Sequence, residues 1–180
     1  MHTLPTNPYY LASQMMEKSI VSLINILGKA SEHILVNKLD ETEFINGRLA
    51  PDMFPLVRQI QIVSDNAKGY VSRMTATTNV PMDDTEDSIH QLVVRLQKTL
   101  EIVRRHGEAD YAGADSVQVV LPWMTTAMPG KSLSAATYLS DFALPNFYFH
   151  VVTAYGIMRH SGIQVGKMDY IGQMDLQDLA

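Results

Sequence analysis

The chain has no cysteine in its 180 residues. Disulfides, thiolate metal sites and cysteine nucleophiles are therefore excluded. It also lacks positive charge: 14 Lys and Arg stand against 19 Asp and Glu, a formal net charge of −5. A nucleic-acid binder needs a basic face to displace counterions, so no nucleic-acid partner is expected. Neither a Gly-x-Ser-x-Gly elbow nor a phosphate-binding glycine loop occurs. The stretch from Met1 to Pro8 has no basic region leading into an apolar core. No signal peptide is expected there, and a cytoplasmic location follows. A long uncharged stretch between Asp141 and Arg159 falls short of the roughly 20 residues of a spanning helix, and it holds Pro145, Asn146 and His150. No membrane partner is expected.

What is present is apolar surface in quantity. Hydrophobic residues make up 46% of the chain and charged residues 18%, a balance that gives a folded core and a single domain over residues 1–180. Eleven methionines suit an adaptable, buried interior.

Apolar periodicity predicts four helical stretches. The first follows Pro8 and runs to about Val36, with Leu11, Met15, Leu23, Ile26, Leu27, Ala30 and Ile34 recurring at helical spacing. A polar link runs from Asn37 to Pro51, with Asp40 able to start a short helix. The second helix is expected to be capped by Asp52, with Pro55 tolerated in its first turn. Leu56, Ile60, Val63, Ala67, Tyr70, Val71 and Met74 form its apolar face. The third is expected to start near Asp84 or Thr85 and to stop at His106-Gly107. Between Asp115 and Leu133 the period changes. The residues Ser116 to Leu121 alternate like a strand and Met128 to Lys131 supply turn residues, which predicts a short hairpin. Trp123 sits beside it, as a packing residue or as a lid over a ligand. The fourth helix spans Ser134 to Ser161-Gly162. The fold class is all-α, a four-helix bundle with a hairpin between the third and fourth helices.

Within the fourth helix Asn146 and His150 stand four residues apart, so an amide and an imidazole share one face. Pro145 cannot donate to the carbonyl of Asp141, which frees that carbonyl and favours a kink. Asn146, His150 and Asp141 are therefore candidates for a polar pocket inside the bundle.

The chain resembles the DinB/YfiT-like superfamily, and more closely a branch of it known only as a domain of unknown function. The blocks that carry this run from Arg48 through Gln59 and Gln61 to Ala67-Lys68, and from Leu144 to His150 with Ala154-Tyr155 and Arg159. The resemblance covers about Tyr9 to Gly172. It implies a helical bundle that is often a homodimer. In many members three histidines hold a divalent metal, and some relatives are thiol-dependent transferases or isomerases. The last of those histidines corresponds to His150, given Arg159 and Gly162 downstream, and the one before it to Asn146. The second-helix histidine corresponds to Gln59, or to Gln61 if the register shifts.

A pattern that wants three imidazoles is thus met by one imidazole and two amides. Carboxamide oxygen is a weak donor for zinc or nickel, so Asp141 or Asp65 would have to join the shell. The expected site is Gln59, Asn146, His150 and Asp141, with His150, Asn146 and Gln59 as a degenerate metal set. Two functions follow. One is a dimeric protein binding a small molecule or a partner. The other is a metal-dependent thiol transferase using zinc or nickel.

Overall fold

A computed structural model describes residues 5–176. Residues 1–4, His2 among them, and 177–180 lie outside the described residues. The helices are α1 (Pro8–Asn37), α2 (Glu41–Ile45), α3 (Leu56–Met74), α4 (Ile89–Arg104), α5 (Met124–Ala127), α6 (Ala135–Thr137), α7 (Leu144–His160) and α8 (Lys167–Ile171). Strands β1 (Gln118–Val119) and β2 (Leu133–Ser134) pair antiparallel, Gln118 with Ser134 and Val119 with Leu133. The chain is mostly helical with one small hairpin, as the periodicity predicts.

Local chemistry sets the ends of these elements. Asn7 accepts the Tyr9 and Tyr10 amides at 3.0 and 3.2 Å, a cap that stabilises α1 by about 1 kcal/mol. At the other end Lys38 adopts a left-handed φ of 53°, and the Leu39 amide returns to the Ile34 carbonyl at 3.0 Å. By length and composition α1 is apolar enough to cross a membrane. Its face of Met16, Ile20, Leu23, Leu27 and Ala30 is buried in the core, and it packs on α3, α4, α7 and α8.

The directions of the long helices follow from which residues meet. Tyr70, late in α3, donates its hydroxyl to the Tyr9 carbonyl at the start of α1 at 2.9 Å, so these two run antiparallel. Along α3 and α4 the contacts advance together. Gln61 meets Glu86 just before α4 at 2.8 Å, and Ser64 meets Thr99 at 2.7 Å. These helices are parallel, so the chain must travel back along the bundle between Thr75 and Ser88.

Arg95 holds that crossover. It is 2% exposed and bonds Asp65 at 2.9 Å, Asp84 at 3.0 Å, Glu86 at 3.0 Å and the Asp83 carbonyl at 2.9 Å. Arg58 adds a second bond to Asp84. A buried guanidinium is tolerable only when its donors are met by charge. This network explains why α4 starts later than predicted. Asp84 and Glu86 are drawn to the arginines, and Ser88 caps the helix instead, accepting from the Gln91 amide.

Two further boundaries differ from expectation. Asp52 does not cap α3; the helix starts after Pro55, whose ring disfavours a helical Phe54 and forces an extended entry. Before α7 the helix widens into a π turn, Tyr138–Ala143, in which the Leu144 amide bonds the Leu139 carbonyl five residues back. The missing amide of Pro145 is absorbed by this winding. Ser134 starts the whole segment, accepting from the Thr137 amide at 3.1 Å.

Candidate functional site

Gln59, Asn66 and Arg73 recur every seven residues, so they share one face of α3. Opposite them, in reverse order, stand His150 and Asn146 of α7 and Tyr138 of the π turn. His150 Nδ1 lies 2.7 Å from Gln59 Oε1. Asn146 Nδ2 donates to Asn66 Oδ1 at 3.0 Å. Arg73 Nη1 donates to the Tyr138 hydroxyl at 3.4 Å. A polar seam therefore runs along an otherwise apolar helix pair.

The Gln59 amide fixes the protonation of His150. Its Nε2 donates to the Phe54 carbonyl at 2.9 Å, which leaves Oε1, an acceptor only, facing the ring. The imidazole must then carry its proton on Nδ1 and keep a lone pair on Nε2. Gln59 is 1% exposed and His150 7%. Burial, and secondarily the Arg58 charge, push the His150 pKa down to about 4. The ring is neutral at pH 7. Its Nε2 makes no hydrogen bond to the described residues.

The structure brings together Gln59 and His150 and places Asn146 one turn away, bonded to Asn66 rather than to Gln59. Gln61, the alternative register, points elsewhere: it accepts from Arg58 at 3.2 Å and donates to Glu86. Asp141 stands apart from them: it lies in the π turn, is exposed and accepts from Ser140 Oγ at 2.6 Å. Asp65 is taken by Arg95 and by Lys68 at 3.1 Å. Asn66 is missing from the sequence-derived set. Its signal, a seven-residue spacing from Gln59, is present but is easily taken for a solvated face. Its Nδ2 is buried without a partner.

As arranged, these residues do not fit a transition-metal centre. Both polar atoms of the Gln59 amide are committed, His150 Nδ1 is a donor, and Asn146 turns its Nδ2 to Asn66. Among the described residues no three His, Asp or Glu gather where they would hold an ion. One imidazole with amide neighbours is a poor set for zinc or nickel.

The crystal structure of a DinB family member protein from Shewanella denitrificans is similar over 95% of each chain, with a TM-score of 0.88 and 37% identity. The helical architecture is thus DinB-like. Residues 9–171 match the family described as a domain of unknown function, DUF1993, and the chain belongs to that family. No curated protein matches it.

Proposed function

We propose that this chain is a cytoplasmic, homodimeric protein that binds a small molecule or a partner without a metal, on a DinB-like bundle whose metal position has become a hydrogen-bonded seam. The Gln59 amide, spanning the Phe54 carbonyl and His150 Nδ1, carries this reading. A ligand selective for the native state must raise its stability, by about 4 kcal/mol at a thousandfold excess over Kd. Zinc and nickel should therefore leave Tm unchanged, and protein purified without chelator should hold no stoichiometric transition metal. A metal-dependent rise in Tm overturns the reading.

Support for the dimer lies on the outer face of α7. Phe149 is 56% and Val152 51% exposed, and they share that face with Pro145 and Gly156, beside Leu49. A two-fold copy of the same stripe would cover it. Sedimentation should show twice the 20.1 kDa chain mass; a monomer at micromolar concentration counts against it.

One observation favours the alternative, a metal-dependent thiol transferase: the His150 Nε2 lone pair has no partner among the described residues. On that reading His150→Ala removes metal uptake and thiol-transfer activity together while the fold persists.

A further inference from the structure

The polar seam ends in a cleft of about 370 Å³ between α3, the crossover and the hairpin loop. That volume is of the order found for small-ligand pockets, roughly 300–1,000 Å³. Its polar lining comes from Asp65, Asn66, Lys68, Arg73 and Asn79, and its aromatic walls are Trp123, Tyr138 and Phe142. The walls pack on one another. Tyr138 and Phe142, four apart in the π turn, stack at 6.2 Å and 22°, and Trp123 leans on Phe142 at 6.2 Å. Isolated π turns recur at functional sites.

Charge in the cleft is unevenly satisfied. Asp65 is neutralised twice, by Arg95 and Lys68. Arg73 has no carboxylate partner among the described residues; its guanidinium meets only the hydroxyl of Tyr138 and that ring's face, 5.7 Å from the centroid. The sequence makes room for it. A Cβ added at Gly69 would lie 2.6 Å from Arg73 Nη1, so only glycine lets the guanidinium fold back over the helix. Gly inside a helix is worse than Ala by about 1 kcal/mol. The buried, partnerless Nδ2 of Asn66 is a further donor on the same lining.

We infer that this cleft binds a small planar carboxylate, its ring against Trp123 and Phe142 and its carboxylate paired with the Arg73 guanidinium. A guanidinium matches a carboxylate through two parallel hydrogen bonds, and it keeps its charge at every physiological pH. The inference rests on the small-molecule-binding reading above and names its site and ligand class.

Trp123 is the single tryptophan, so its fluorescence reports this cleft alone. Benzoate and phenylacetate, titrated in the presence of EDTA, should quench it saturably, and the neutral benzamide and phenylacetamide should bind about tenfold more weakly or worse. Arg73→Gln and Gly69→Ala should each weaken carboxylate binding by about tenfold. Gly69→Ala should do so with Tm unchanged or raised, because its new methyl displaces only the tip of a flexible side chain. That variant separates site loss from fold loss. No saturable quenching, equal affinity for the amides, or full affinity in Arg73→Gln overturns the inference. So does inorganic phosphate binding as well as benzoate, which would mark a bare anion site. A zinc-dependent rise in Tm removes the metal-free reading but leaves carboxylate binding intact. Absence of quenching removes the cleft and leaves that reading standing.

Discussion

Replacing Gln59 by leucine keeps the side chain's bulk and deletes its two hydrogen bonds. The bond to the Phe54 carbonyl is 2.9 Å and that to His150 Nδ1 2.7 Å. A buried group left without its partner costs about 1–3 kcal/mol. Phe54 is exposed, so water can reach its carbonyl and its loss falls at the low end. His150 is buried, so its orphaned N–H falls at the high end. The sum is about 4 kcal/mol. For a chain of this size each kcal/mol moves Tm by about 2–4 °C, so the expected fall is about 8–16 °C. Urea unfolding should show the midpoint lowered and the slope unchanged, which places the loss in stability rather than in the compactness of the denatured chain. A loss below about 1 kcal/mol, the net worth of one ordinary hydrogen bond, would refute the claim that this amide spans two otherwise unsatisfied groups.

Three more outcomes are expected. His150 titrates at about 4 when folded against an ordinary 6.5, so below 6.5 the unfolded chain takes up the proton first. Stability is fully present above that value and is lost as pH falls toward about 4, by about 3 kcal/mol in all; urea curves of His150→Phe should lack this part of the pH dependence. Arg95→Met leaves Glu86 with only the Gln61 amide and takes one of two cations from Asp65 and from Asp84, and it should cost about 3 kcal/mol and open the crossover to limited proteolysis; an unchanged cleavage pattern would show that the network does not hold that segment. The double variant Gln59→His with Asn146→His supplies the two missing imidazoles and should gain a zinc-dependent rise in Tm. No gain would mean that these positions do not converge on a common point.

Much of this was legible because it rests on local rules. Leu23 through Ile34, and Leu56 through Met74, recur at helical spacing and are buried as the periodicity selects, but early in α1 it selects Leu11 and Met15, whereas Ala12, Met16 and Ile20 face the core and Met15 is exposed. The choice of Gln59 over Gln61 was not local, since both are buried and only the partner across α7 separates them. The start of α4 was misread for a related reason. Asp84 and Thr85 are good caps in isolation, but Arg95, more than ten residues on, claims Asp84 through space. Asp141 illustrates a third limit. Pro145 announces a broken hydrogen bond, yet whether the helix kinks or takes on an extra residue depends on packing, and in the π turn that results Asp141 is exposed. Asn66 and Arg73 were hidden because polar residues at helical spacing ordinarily mark a wet face, and here they mark the seam.

The most direct test of the seam is a crystal structure with diffraction measured on both sides of the zinc absorption edge, from crystals grown with zinc. Continuous hydrogen bonds from Phe54 through Gln59 to His150, with no anomalous peak beside the ring, is the expected result. A peak about 2 Å from His150 Nε2, with Gln59 or Asn146 turned toward it, would contradict it.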